Sequence, residues 1–142
     1  MPTNVTEPRL RIGELADRAG VGAKTIRYYE QVELLPKPTR TTAGYRLYAD
    51  VDAERLRFIK SARQLGFALG EIKEILELRD HGEAPCAYVA ELLEQRRGEV
   101  DQAIAELSAL KAELDRLSHR ARQVGHLARP AAYCHILESR TR

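Results

Sequence analysis

The chain has 142 residues, 44% of them hydrophobic and 31% charged, and a net charge of +2. That composition supports one modest core with an appended element, and it excludes the weakly hydrophobic, highly charged signature of a disordered chain. No apolar run approaches the roughly 20 residues of a membrane span, and Met1 to Arg11 lacks the apolar stretch of a secretory signal, so a cytoplasmic protein with no membrane partner is expected.

Taken in order, the first ten residues, with Pro2 and Pro8, read as a loose arm. Ile12, Leu15, Ala16 and Ala19 then recur on one helical face, and Gly20 follows as a stop. A second helix is predicted from about Ala23 to Gln31 with Ile26 on its buried side. Two short helices joined through Ala19-Gly20-Val21-Gly22 have the proportions of a helix-turn-helix. Pro36 and Pro38 end the second helix, and Leu34-Leu35 before them reads as a plug into the core. Gly44-Tyr45-Arg46-Leu47-Tyr48 combines a glycine-led turn with alternating residue types, the pattern of a short β-hairpin or wing. Asp50 is the expected N-cap of a third helix carrying Leu56, Ile59, Lys60 and Arg63. After a turn at Gly66, a fourth helix has Leu69, Ile72, Ile75, Leu76 and Leu78 on its apolar side.

Beyond a polar break at residues 80–85, Val89, Leu93, Val100, Ala103, Leu107, Leu110, Leu114, Leu117, Ala121 and Val124 fall on alternating three- and four-residue steps. This is a heptad seam interrupted only at Arg96. A helix of about 38 residues would run about 57 Å, more than the preceding domain can cover, so an identical chain is the simplest partner. Gly125 and Pro130 end it, and a short tail with Cys134 and His135 follows.

Between Lys24 and Tyr48 five basic residues (Lys24, Arg27, Lys37, Arg40, Arg46) face two acidic ones (Glu30, Glu33), with Tyr28, Tyr29, Tyr45 and Tyr48 interleaved. A second helix presenting Lys24, Thr25, Arg27 and Tyr28 suits a DNA major groove. Arg and Lys can reach guanine edges or phosphates, and the hydroxyls can reach phosphate oxygens. Arg40, Tyr45, Arg46 and Tyr48 on the wing would grip the backbone. The competing reading is a basic solvated face beside a surface turn. The segments Ile12-Gly13-Glu14-Leu15-Ala16, VGAKTIRYYE from Val21 to Glu30, Leu34-Leu35-Pro36, Gly44 to Tyr48, and Leu65 to Ile72 (LGFALGEI) resemble the MerR family signature in order and spacing.

That resemblance implies a mainly α fold in three parts. These are a winged helix-turn-helix DNA-binding domain (residues 10–80), a dimerisation helix forming an antiparallel coiled coil between protomers (86–124), and a metal-binding loop and tail (125–142). It implies a homodimer on a pseudo-palindromic double-stranded promoter, where inducer binding bends and untwists the DNA so that RNA polymerase can use it. Carried over by position, the DNA contacts are Thr25, Arg27 and Tyr28 on the recognition helix and Arg40, Tyr45 and Arg46 on the wing.

The effector is expected to be a metal ion. A chain ending at Arg142 leaves no room for the drug-binding domain that other members append, and the four-cysteine tail of superoxide sensors is absent. In a reducing cytosol the two cysteines point to packing, metal ligation or redox chemistry rather than a disulfide. By the resemblance, Cys86 opens the dimerisation helix where a cysteine goes with divalent ions, and Cys134 matches the last loop cysteine of zinc- and mercury-type members. Here the chain departs from its relatives, which place one or two further cysteines near the end of the long helix, where this chain has Ser118 to Gln123. The implied set is Cys86 of the opposite protomer, Cys134 and His126, with His119 and His135 as alternatives for the imidazole. Two thiolates and an imidazole suit Zn²⁺, Cd²⁺, Pb²⁺ or Hg²⁺ as inducer and leave the choice among them open. The alternative within the same DNA-binding frame is redox or electrophile sensing by Cys86 or Cys134 without metal. A constitutive architectural binder, indifferent to both cysteines, is a third reading. Nothing in the sequence pairs a nucleophile with a base or cradles a phosphate, so an enzyme is not expected.

Overall fold

The computed structural model describes residues 7–124, 134–138 and 140. Among them the elements run α1 (Ile12–Ala19), α2 (Ala23–Gln31), β1 (Thr39–Arg40), β2 (Arg46–Leu47), α3 (Asp50–Gln64), α4 (Leu69–Asp80), α5 (Cys86–Val124) and α6 (His135–Glu138). The chain divides into two compact units after Leu92.

In the first unit, α1 stops where Gly20 takes a left-handed φ of 69° and returns its N–H to the Ala16 carbonyl at 2.9 Å, the ending that glycine allows at least cost. Two residues on, α2 begins, its Ile26 fully buried. After α2 the chain reverses at Glu33, whose φ of 62° is unusual for a residue with a β-carbon and costs about 1–2 kcal/mol. The reversal drives Leu34 and Leu35 into the core at 1% and 3% exposure, and Leu34 N–H bonds the Tyr29 carbonyl at 2.9 Å. Burial of each leucine is worth about 1.5–3 kcal/mol, which offsets the strained turn.

The wing is the antiparallel pair β1 and β2, with Thr39 opposite Leu47 and Arg40 opposite Arg46. Leu10 forms a separate antiparallel bridge with Tyr48, just after β2: Leu10 N–H donates to the Tyr48 carbonyl, and Tyr48 N–H to the Leu10 carbonyl, both at 2.8 Å. Leu10, at the end of the arm that the prolines implied to be loose, is therefore tied by a β-bridge and buried in the core at 1% exposure, while residues 1–6 of that arm lie outside the described residues. The N-cap of α3 also differs from the expectation. Ala49 occupies it, and the Asp52 carboxylate accepts its N–H at 2.9 Å. Asp50, the first helical residue, instead pairs with Arg9 and Arg18. Helices α3 and α4 close the core with Leu56, Ile59, Ile72, Ile75 and Leu76.

Two anchors of this core were not among the expected positions. Phe67, at 3% exposure, follows the turn at Gly66, and Leu92 of α5, at 5%, is buried where the heptad pattern pointed to its neighbour Leu93. In the second unit α5 exposes an apolar stripe. Val100 is 56% exposed, Leu107 64%, Leu114 55%, and Ile104, absent from the predicted seam, 57%. Its other faces carry i,i+3 and i,i+4 ion pairs such as Lys111–Asp115. Arg140, beyond α6, pairs with Glu113.

Candidate nucleic-acid interface and free thiols

Helix α2 and the wing form the basic face of the first unit. On α2, Lys24, Arg27 and Tyr28 are exposed and Thr25 is half-buried, while Ile26 and Tyr29 point to the core. Helical periodicity thus separates an exposed, basic face from a packing face within a nine-residue helix. Neither Lys24 nor Arg27 has an acidic partner among the described residues, so both cations are available to phosphates or base edges.

The wing residues are placed by hydrogen bonds within the turn. Arg40 donates from Nη1 to the Gly44 carbonyl at 2.7 Å, and Tyr45 N–H donates to the Thr41 hydroxyl at 3.1 Å. Gly44 adopts φ of 87°, which the tip requires and other residues resist. Tyr45 stands out at 58% exposure. Arg46 is half-buried and its Nε donates to Glu30 Oε2 at 3.1 Å. The second oxygen of Glu30 accepts from the Tyr48 hydroxyl. One carboxylate near the end of α2 therefore holds Arg46 of the outgoing wing strand and Tyr48 just after it.

Tyr48 is consequently a correction. Counted with the wing surface by its spacing, it is 2% exposed and belongs to the core. Burial first, and then its bond to Glu30, hold its phenol well above the ordinary tyrosine range. The role of Glu30 was not legible as more than a charge, because its partners lie 16 and 18 residues away in sequence. Arg11, at the N-cap of α1, was also missed. Its guanidinium carbon lies 4.5 Å from the centre of the Tyr45 ring.

Both cysteines are free thiols: Cys86, exposed, is the first residue of α5, and Cys134, half-buried, immediately precedes α6. His119 is exposed on α5 with its Nε2 3.1 Å from the Gln123 amide, and His135 opens α6. His126 lies outside the described residues. Among the described residues of the single chain, no three His, Cys, Asp or Glu side chains gather closely enough to hold an ion. No helix among them is long and apolar enough to cross a membrane.

A helix-turn-helix with a wing and a separated cationic face defines a DNA-binding regulator. Comparison with known proteins agrees. The family model for MerR helix-turn-helix regulatory proteins matches residues 10–79, and that for the MerR DNA-binding region matches residues 53–117. The HTH-type transcriptional regulator ZntR of Escherichia coli (strain K12) is 42% identical over 130 residues, 91% of this chain and 90% of its own. Among solved structures, the transcription regulator PbrR691 from Ralstonia metallidurans CH34, in complex with lead(II), superposes with a TM-score of 0.76 at 37% identity, covering 92% of this chain and 98% of that one. The dual-function regulator MerR from Bacillus megaterium MB1, in complex with mercury(II), gives 0.62 at 32% identity, covering 94% and 100%. The chain belongs to the MerR family of transcriptional regulators, and it is a DNA-binding regulator rather than an enzyme.

Proposed function

We propose that this regulator is a metal-responsive promoter switch that acts as a homodimer. The observation that carries the reading is the likeness, along nearly the whole chain, to regulators solved with lead(II) and with mercury(II), in a chain whose own two cysteines are both free thiols. The DNA-reading residues are Lys24, Thr25, Arg27 and Tyr28 on α2, with Arg40, Tyr45 and Arg46 on the wing. The exposed stripe of α5, from Val100 to Leu114, is the seam that a second chain covers, which makes α5 the dimerisation helix and residues 10–80 the DNA-binding domain.

The donor chemistry fits a soft divalent ion. Cys86 and Cys134 supply two thiolates and His126 an imidazole, with Cys86 coming from the partner chain, an arrangement compatible with the lack of a three-ligand cluster among the described residues of one chain. Zn²⁺, Cd²⁺, Pb²⁺ and Hg²⁺ all suit that set. When bound, the ion supplies a cross-link between the two chains. Residues Lys24 to Tyr28 and the wing hold the DNA backbone on both half-sites, so a change in the angle between protomers is passed to the duplex as bending and untwisting, which presents the promoter to RNA polymerase. The exposed thiol of Cys86 supports a second reading, in which oxidation or alkylation of that group takes the place of the ion.

Titration of the reduced, metal-free protein with Zn²⁺, Cd²⁺, Pb²⁺ and Hg²⁺, followed by thiolate-to-metal absorbance, tests this directly. Stoichiometric binding is expected for the wild type and its loss for Cys86→Ser and Cys134→Ser. A wild type that binds none of the ions, but whose DNA complex responds to diamide, would overturn the metal reading in favour of the redox one.

A further inference from the structure

Between the start of α1, the recognition helix and the wing tip lies a groove of about 390 Å³ lined by Arg11, Ile12, Arg27, Gly44, Tyr45 and Arg46. Three of its six lining residues are arginines. Arg46 is balanced by Glu30. Arg11 and Arg27 have no carboxylate partner among the described residues, so the groove carries uncompensated positive charge. Its floor adds the amino-terminal end of α1, where Arg11 N–H is taken by the Glu14 carboxylate at 3.3 Å and the side chain of Arg11 is left to point outwards.

We propose that Arg11 is a DNA-backbone contact: its guanidinium binds a phosphodiester in the groove between α1 and the wing, and its stack on Tyr45 sets where the wing tip lies. The proposal rests on the reading of α2 and the wing as the DNA interface, and it extends that interface to an element outside both. The guanidinium carbon lies 4.5 Å from the centre of the Tyr45 ring, and a guanidinium laid on a ring uses its π-face for that contact. The N–H donors lie in its plane and stay free for the paired oxygens of a phosphate, which is the geometry arginine matches and lysine does not. The Arg11 side chain is exposed and, among the described residues, has no partner other than the Tyr45 ring, so its replacement tests binding rather than folding. The charge of Arg27, which lines the same groove, is the second half of the same clamp.

The test needs no operator, because phosphate contacts are independent of sequence. Affinity of the full-length protein for a mixed-sequence duplex is measured across salt concentrations for the wild type, Arg11→Gln, Arg11→Lys and Arg27→Gln, with thermal melting as the control for folding. Each phosphate contact contributes about 0.9 to the slope of log K against log salt. Between ~50 and ~200 mM salt the wild type should therefore lose about 3.5-fold more affinity, per bound chain, than Arg11→Gln. Arg11→Lys should keep the wild-type slope yet bind more weakly at every salt concentration, since it retains the charge without the stack on Tyr45. An Arg11→Gln slope equal to that of the wild type, with Arg27→Gln reduced, would overturn the role of Arg11 while leaving the interface standing. A wild type with no salt-dependent DNA binding would overturn the interface reading and the proposal with it.

Discussion

Replacement of Tyr48 by phenylalanine removes one hydroxyl from a side chain that is 2% exposed and leaves the ring packing intact. The hydroxyl donates to Glu30, whose side chain is itself only 10% exposed and whose other oxygen is held by Arg46 at 3.1 Å. Without that donor, a buried carboxylate oxygen loses a hydrogen bond to a charged group, worth about 1.5–3 kcal/mol. Taking about 2 kcal/mol, at roughly 4–8 °C per kcal/mol for a small domain, the melting temperature should fall by about 8–16 °C. Calorimetry at matched protein concentration reads this, because a dimer melts at a concentration-dependent temperature. Glu30→Gln removes the charge, so Tyr48→Phe in that background should cost markedly less, and a double-mutant cycle should return a coupling of about 1 kcal/mol or more. DNA affinity should drop in both single variants, since Glu30 ties the recognition helix to the wing. Strict additivity of the two substitutions, or a melting temperature within about 1 °C of wild type for Tyr48→Phe, would refute the latch.

The apolar stripe of α5 yields a second expectation. Leu107→Lys removes a side chain 64% exposed in the single chain, worth about 1.5–3 kcal/mol if a partner covers it, and a twofold dimer contains the change twice. The dimer dissociation constant should rise by about 10²- to 10⁴-fold in sedimentation equilibrium, and an unchanged constant would show that the stripe is not the dimer seam. Arg55 clamps the end of α4 to the core through Asp80, with Oδ1 at 2.9 Å and Oδ2 at 3.1 Å, and donates from Nε to the Leu34 carbonyl at 2.7 Å. Its hydrogen bonds hold the Asp80 carboxyl below its ordinary 3.8. A depressed folded-state value stabilises the protein above pH 3.8, and that stabilisation is lost as pH falls through the folded value. Asp80→Asn should therefore melt lower than wild type at neutral pH, by under about 1 kcal/mol because the aspartate is half-exposed, and the difference should close in acid. A difference that persists unchanged at low pH would assign it to packing instead.

Much of the first unit was readable from local chemistry. Gly20 after an apolar helical face, the paired prolines at 36 and 38 and the glycine-led turn at Gly44 each act within a few residues of themselves, and the observed bounds of α1 and α2 follow them. So do the outward positions of Lys24, Arg27 and Tyr28, which the 3.6-residue period decides once Ile26 is buried. The heptad pattern announced α5 from Cys86 to Val124, because a periodic run of that length, broken only at Arg96, needs no tertiary information.

What the amino-acid order by itself determined was periodic or turn-bound: the helices, the wing and the exposed basic face of α2. What only the tertiary structure decided was which groups are spent on one another. Tyr48 carries the same wing-like spacing as Tyr45, yet one is buried against Glu30 and the other stands in solvent under Arg11. Asp50 looked like a cap and became the partner of Arg9 and Arg18, while Asp52 two residues later capped the helix. Leu92 rather than Leu93 entered the core of the first unit. Each of these outcomes depends on a partner brought close by the folding of another segment, and Coulomb attraction, hydrogen bonding and burial act over ångströms of space rather than along the chain.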